Sequence, residues 1–563
     1  MNRNTESHFS LNPHVDISRS RFDRSASVKT SFNVGDIVPF YVEEVLPGDT
    51  FQVKSSKVVR MQTLLTPMMD NVYLDTYYFF VPNRLVWNHW KEFCGENTES
   101  AWIPETEYNI PQLVSPATDG WKVGSIADYF GIPTGVPGLS VNALPFRAYA
   151  LIMNEWFRDQ NLQDPLVVPL DDSTVTGVNT GTFVTDVAKG GLPYIASKYH
   201  DYFTSCLPSP QKGPDVTIPV AEAGNYHVVG NGKALALTNG TANGALGSWT
   251  ANTSVYPSLY GTNVSSSISS PGNGLESSAY GVPTQAQLGS NLDNSGLIAI
   301  ASGNAQAATI NQLRLAFQIQ KFYEQQARGG SRYTEVVRSF FGVTSPDARL
   351  QRPEYLGGNR VPINVNQVIQ QSGTESTGTP QGTVVGMSQT TDTHADFMKS
   401  FTEHGFIIGV MVARYDHTYQ QGLNRMWSRK DKFDYYWPVF ANIGEQAVKN
   451  KEIFATGSAA GSKDDEVFGY QEAWADYRYK PSQVTGEMRS QYEQSLDVWH
   501  LADDYEILPT LSDSWIREDK TNVDRVLAVT SKVSNQLFAD IYVTNYATRP
   551  MPMYSVPGLI DHH

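Results

Sequence analysis

Cysteine is almost missing from this chain: Cys94 and Cys206 stand alone among 563 residues. Two thiols exclude a disulfide framework and a CxxC metal pair, and they imply folding in a reducing compartment. Long apolar runs are missing too. The longest, Phe406–Ala413, falls far short of the roughly 18 residues a membrane span requires. The opening MNRNTESHFS has no apolar signal-peptide core. Neither secretion by such a peptide nor membrane insertion is expected. No GxxxxGK[ST], HExxH, GxSxG or EF-hand loop occurs, and the 11 histidines are scattered without ligand spacing. The expectation is a protein without enzymatic activity, cofactor or metal. Three acidic turns, Asp171-Asp172, Asp464-Asp465-Glu466 and Asp503-Asp504, carry paired carboxylates, and such turns are usually just solvated.

What the chain does have is rings. Aromatic residues make up 12 %, with 29 Tyr and 25 Phe, against 18 % charged residues. That profile suits extensive burial and excludes disorder. At this length a prior of roughly three to four domains applies, yet no linker divides the sequence, so one large elaborated domain is expected. The net charge of −15 is uneven. Residues 431–520 hold 9 Lys/Arg against 18 Asp/Glu, whereas residues 1–30 read as a flexible, mildly basic arm carrying Arg3, Arg19, Arg21, Arg24 and Lys29.

The most informative stretch is Thr66–Trp87, TPMMDNVYLDTYYFFVPNRLVW. Counting by twos places Val72, Leu74, Thr76, Tyr78 and Phe80 on one face and Tyr73, Asp75, Tyr77, Phe79 and Val81 on the other. A strand apolar on both faces needs a cover on each. Val34–Leu46, the turn Pro47-Gly48-Asp49 and Phe51–Met61 predict a hairpin. Asn83 is placed to cap a short helix presenting Trp87, Trp90 and Phe93 and stopping at Gly95. Further helices are predicted over Pro145–Asn161 and Ala305–Arg328, the second with Leu313, Phe317 and Phe322 as packing positions. Strands are predicted at Phe406–Tyr415, Val526–Thr530 and Phe538–Tyr546. Strands joined by irregular connections favour a mainly β, antiparallel sandwich.

Residues 209–303 differ in kind. From Ala223 to Gly303 the charged residues are Lys233, Glu276 and Asp293, amid Gly, Asn, Ser, Thr and Ala with Trp249, Tyr256 and Tyr260 interspersed. This reads as a folded, loop-rich polar insertion of the composition binding loops use. On these features alone a carbohydrate-binding or carbohydrate-cleaving β-sandwich remains open beside a structural protein.

Three segments in the last third carry a resemblance: Phe468–Arg489 (FGYQEAWADYRYKPSQVTGEMR), Trp499–Tyr505 (WHLADDY) and Arg549–His562 (RPMPMYSVPGLIDH). Together with Thr66–Trp87 they resemble the major capsid protein of gokushoviruses, single-stranded DNA bacteriophages of the Microviridae. The likeness lapses mainly in the polar insertion. It implies an eight-stranded antiparallel viral jelly roll with long loop insertions and a few helices, assembled with other copies as a T=1 icosahedral shell around circular single-stranded DNA. It also implies an insertion that protrudes at the threefold axes for host attachment, a virion location after assembly in the host cytoplasm, and three partners: a small basic DNA-binding protein, an internal scaffolding protein and a host cell-surface receptor. Within that frame Arg19, Arg21, Arg24 and Lys29 are expected to face DNA, and Trp249, Tyr256 and Tyr260 to contact the host. Trp474, Tyr477, Tyr479, Met551, Met553 and Tyr554 are expected at subunit contacts.

Overall fold

A computed structural model describes residues 18–97, 106–217, 309–372, 380–458 and 461–555, and the backbone of five short strands between 226 and 301. The chain divides into two compact units, Met1–Lys212 with Tyr323–His563, and Gly213–Phe322.

Nine strands of the first unit build an antiparallel sandwich: β1 (Ser20–Asp23), β2 (Ala26–Phe32), β3 (Val38–Val45), β4 (Thr50–Met61), β5 (Val72–Pro82), β6 (Glu354–Pro362), β7 (Thr390–Ser400), β8 (Gly405–Tyr415) and β9 (Leu537–Arg549). One sheet runs β1-β9-β4-β7 with β2 also on β9, and the other runs β6-β5-β8-β3. From β2 to β9 the chain alternates between sheets, staying in one sheet only from β5 to β6. That is the winding of a jelly roll. The count is nine where eight were expected because one edge is broken at Arg24-Ser25. There β2 pairs with Leu537–Val543 and β1 with Tyr546–Arg549 along the same side of β9. The segment expected as a flexible arm is therefore ordered strand from Ser20 onward.

The predicted hairpin is not formed. Its turn is present, with Asp49 N–H donating to the Leu46 carbonyl (3.0 Å) and the Asp49 carboxylate accepting from Leu46 N–H (2.9 Å). Its arms, however, join opposite sheets, β3 pairing with β8 and β4 with β9 and β7. Val38, Phe40 and Val45 of β3 meet Phe51, Val53, Val59 and Met61 of β4 inside one core cluster. Two strands that bury alternate residues toward each other must face across the sandwich, so the turn crosses it.

Strand β5 has the two-sided burial its sequence demands. Val72, Leu74, Tyr78 and Phe80 fill the sandwich interior. Phe79 and Val81 join a second cluster with Trp87, Trp121, Phe146 and Tyr149, against which Tyr77 packs. Its neighbour β8 divides in the same way, Ile407 and Met411 inward and Ile408 and Val410 outward. The outer cover comes from this chain's own long connection between β5 and β6, chiefly helix α1 (Leu144–Ile152). Full burial of one such side chain is worth about 1.5–3 kcal/mol, so two layered cores supply the stability that makes long excursions tolerable.

Other predictions shift. Helix α1 passes into a wider π turn, Met153–Phe157, and the chain is extended from Arg158, short of the predicted Asn161. Asn83 does not cap a helix: it opens a three-residue turn, and its backbone carbonyl, not its side chain, accepts from Val86 and Trp87 N–H (both 3.1 Å). Trp87, Trp90 and Phe93 do stack together, with centroids 5.4–6.2 Å apart. The helix predicted from Ala305 is α2, Ile310–Gly329, and its Leu313, Phe317 and Phe322 are exposed, Leu313 only just. Val526–Thr530 is a turn with Val526 and Leu527 buried, not a strand, because the Asp524 carboxylate gathers Ser531 N–H (2.7 Å), Ser531 Oγ (2.7 Å) and Gln536 Nε2 (2.7 Å). Both cysteines are free.

In the second unit, Tyr226–Gly230 pairs antiparallel with Leu297–Ala301, and Leu235–Thr238 pairs with Ala245–Trp249 and Gln287–Leu288. Trp249 ends a strand, while Tyr256 and Tyr260 lie outside the described residues.

Candidate functional site

Between β8 and β9 the chain runs through residues 416–536, largely in short turns. Asn424 Oδ1 accepts from Met426 N–H (3.0 Å) and starts the turn Arg425–Ser428. Asp431 accepts from Phe433 N–H (2.8 Å), while Asp434 reaches back to Asp431 N–H (3.0 Å), fixing the turn Lys432–Asp434. Pro438 opens a third, Pro438–Phe440. Three short turns in succession, the first two capped by their own side chains, leave no continuous face to bury, so the rings point outward. Trp427 is 71 % and Val439 86 % exposed, and Phe433, Tyr435, Tyr436 and Trp437 are each exposed as well.

This platform is held firmly. Trp437 Nε1 donates to the Lys432 carbonyl (2.8 Å). The Arg429 guanidinium pairs with Asp476 and lies over the Tyr477 ring, 4.3 Å from its centroid. Trp474 is a brace beneath it: only 7 % exposed, it donates from Nε1 to the Phe440 carbonyl (3.2 Å) and meets Tyr436 edge-on at 5.7 Å. The rings of this segment are thus exposed on a base held by hydrogen bonds and an ion pair.

The root of this connection is an enclosed ion cluster. His417 faces Asp503 through Nδ1 (3.0 Å) and Glu518 through Nε2 (2.9 Å), and Lys198 Nζ lies 3.5 Å from Asp503. Burial opposes a charged imidazole, but the two carboxylates outweigh it and push His417 up to about 10. Burial likewise opposes the Asp503 carboxylate, yet His417 and Lys198 hold it far below the usual range. The cluster pins the end of β8 to the segments around residues 198, 503 and 518.

The residues singled out from sequence distribute unevenly over this geometry. Tyr477 and Tyr479 are exposed at the platform, while Trp474 lies inside the subunit. Met551, Met553 and Tyr554 are exposed on the tail, Tyr554 at 82 %. Three of the arm's cations are in contact with their own chain, and Arg3 lies outside the described residues. Arg24 pairs with Glu43 (2.5 Å), Lys29 with Asp540 (3.7 Å), and Arg21 stacks over Tyr546 (4.1 Å), while Arg19 is exposed beside the Gly48 turn. Of the acidic turns, Asp503 serves the ion cluster, Asp464 accepts from Thr456 and Gly457 N–H (2.8 Å each), and Asp172 accepts from Trp87 Nε1 (2.6 Å). No metal-holding group occurs among the described residues. The segment 425–440 was not singled out from sequence; its signal is ring density among charges, RMWSRKDKFDYYWPVF, with no periodicity to flag it.

A family model described as capsid protein (F protein) matches residues 10–559. The chain belongs to this phage capsid-protein family. It is 43 % identical over 559 residues to capsid protein VP1 of Spiroplasma virus 4, covering 98 % of this chain and 97 % of that one. Capsid protein VP1 of Chlamydia phage 1 is 40 % identical over 598 residues (98 % and 97 % covered), and that of Bdellovibrio phage phiMH2K 40 % over 564 residues (99 % and 98 %). The chain is thus a structural capsid protein of the Microviridae type, a virion component that assembles with copies of itself, and not an enzyme. Among its described residues no helix is long and apolar enough to cross a membrane.

Proposed function

We propose that this major capsid protein closes into a T=1 icosahedral shell around a circular single-stranded DNA genome, with the 425–440 platform as a principal contact between copies. The observation that carries this reading is the platform itself: exposed rings on a braced base, in a chain whose relatives are capsid proteins. Burying rings of this size supplies large contact area at low conformational cost. The tail around Met551, Met553 and Tyr554 adds a second apolar contact. The polar insertion, residues 209–303, forms the protrusion at the threefold axes and engages the host cell-surface receptor. Assembly proceeds in the host cytoplasm with an internal scaffolding protein. Trp427→Ser combined with Val439→Ser, which spares the bond from Trp437, tests the platform. The expected outcome is a folded chain with an unchanged melting midpoint that sediments as small species instead of shells. Undiminished shell yield would overturn the assignment.

A further inference from the structure

Two cross-strand pairs meet across the interior of the sandwich. In one sheet Lys57 of β4 stands directly opposite Asp392 of β7, and in the other Thr76 of β5 stands opposite Asn359 of β6. Opposed residues share a face. Lys57 has the parity of the core residues Val53 and Val59 on β4, and Thr76 that of Leu74 and Tyr78 on β5, so all four side chains converge between the sheets. Gly357 and Gly358 let β6 close in, since a Cβ on either would collide with the carbonyl oxygen of Asp396 or of Thr76.

The contacts are those of a nucleophile held at an amide. Lys57, only 1 % exposed, directs Nζ to Asn359 Oδ1 (2.6 Å), Thr76 Oγ1 (3.1 Å) and Asp392 Oδ2 (3.2 Å). Thr76 Oγ1 also donates to Asn359 Oδ1 (2.7 Å), and Asn359 Nδ2 donates to Asp392 Oδ2 (2.8 Å). The amide is gripped at both ends. Its oxygen takes two donors placed to hold the charge of an oxyanion, and its nitrogen rests on the same carboxylate oxygen that touches Nζ. That oxygen can carry a proton from the amine to the leaving nitrogen. Burial draws the Lys57 amine below the ordinary lysine range although Asp396 and Asp392 oppose it, which raises the share of the neutral, nucleophilic form. A buried ion pair by itself contributes little that an apolar side chain of similar volume would not, so stability alone does not account for the lysine.

We propose that Lys57 and Asn359 join in an intramolecular isopeptide bond, with Asp392 as the proton carrier and Thr76 as the oxyanion donor. Asp392 first takes a proton from the ammonium, and the freed Nζ lone pair bonds Cγ of Asn359. The carboxyl passes that proton to Nδ2; the Cγ–Nδ2 bond breaks, ammonia leaves and the carbonyl reforms. Asp392 then takes the surplus proton from Nζ and yields it to the ammonia. In sum an ammonium and a primary amide become a secondary amide and an ammonium ion, without any co-reactant. Holding amine and amide in contact turns a slow bimolecular reaction into an intramolecular one. The product ties β4 to β6 across 302 residues and restricts the unfolded chain as a disulfide would, in a chain whose two cysteines are both free.

The test is intact mass spectrometry of the fully denatured chain recovered from assembled particles. The expected mass, after allowance for removal of Met1, is that of the sequence less one ammonia. Proteolysis is expected to release a branched peptide joining the Lys57 segment to the Asn359 segment. Asn359→Asp is expected to form the same link with loss of water instead, and Asp392→Asn, which keeps the shape of the carboxylate, to fold with an unchanged circular dichroism spectrum yet retain its full mass. A wild-type chain at full mass, cleaved by trypsin after Lys57, would overturn the bond and leave Lys57 an ion-paired core residue. So would loss of ammonia without the branched peptide, the mark of a succinimide elsewhere. Undiminished bond formation in Asp392→Asn would overturn the carboxylate's part in it. The wild-type measurement decides even where a variant fails to fold.

Discussion

Replacing His417 by Gln removes the central charge of an enclosed ion cluster in the capsid chain. The side chain is 1 % exposed, and both ring nitrogens meet carboxylates. The folded chain holds the imidazole proton up to about pH 10, the unfolded chain only to about 6.5. At ~1.4 kcal/mol per pH unit that gap corresponds to about 5 kcal/mol, in line with the ~3–5 kcal/mol for breaking a buried ion pair. Asp503 keeps Lys198 at 3.5 Å and Asn522 Nδ2 at 2.7 Å after the substitution, whereas Glu518 loses its charged partner, so a cost nearer 3 than 5 kcal/mol is expected. The sign of the pH dependence follows from linkage. The contribution is complete below about pH 6.5 and is lost as pH rises through about 10, at ~1.4 kcal/mol per pH unit. Thermal midpoints of the unassembled chain from about pH 7 to pH 10 provide the assay. Wild type falls steadily across that window, and His417→Gln starts lower but falls less. Parallel profiles would refute the assignment of a charged His417, whatever the difference in absolute stability.

Asp36 works in the opposite direction and in another window. Burial, only partly offset by Lys520 and Asn33, pushes its carboxyl up to about 6. It favours the folded chain below about pH 4, an advantage lost as pH rises through 6, a difference of about 3 kcal/mol. Asp36→Asn is expected to raise the melting midpoint at neutral pH and flatten the profile between about pH 4 and 6; a lowered neutral midpoint counts against this. For the insertion, Trp249→Ala, Tyr256→Ala and Tyr260→Ala together are expected to reduce adsorption to host cells at least tenfold with normal particle yield. Lost particles would show a structural role instead.

What the sequence disclosed depended on whether a residue's environment is local. Two-sided burial of β5 was legible because strand alternation is a local geometric rule, and Val72–Val81 carries large apolar groups at both parities. The helix boundaries at Ile152 and Phe157 were not, because the π turn is set by tertiary contacts such as Asn154 Nδ2 donating to the Leu166 carbonyl (2.9 Å). The hairpin failed for the same reason. Pro47-Gly48-Asp49 specifies a turn, but which sheet each arm enters is decided by β8 and β9, more than 350 residues downstream. The platform escaped notice because its rings follow no period. Only exposure in the folded subunit distinguishes Trp427 from a core tryptophan such as Trp87.

The charges of the arm bear on how a genome could be held. Arg21, Arg24 and Lys29 look from sequence like cations kept for phosphate, yet Arg21 lies over Tyr546 and Arg24 pairs with Glu43, while Lys29 keeps only a loose, exposed contact with Asp540. Arg24 and Arg549 both lie against Glu43, a carboxylate whose burial raises it above the ordinary value despite these partners. Their charge therefore holds the broken strand edge to β9 and β3. A chain of net charge −15 has little uncommitted positive potential to neutralise nucleic acid. If the shell encloses single-stranded DNA, most of the compensating charge must come from a separate basic protein or counterions. The consequence is measurable: affinity of the chain for oligodeoxythymidylate should fall only shallowly with salt, whereas a steep dependence would return the leading role to the arm.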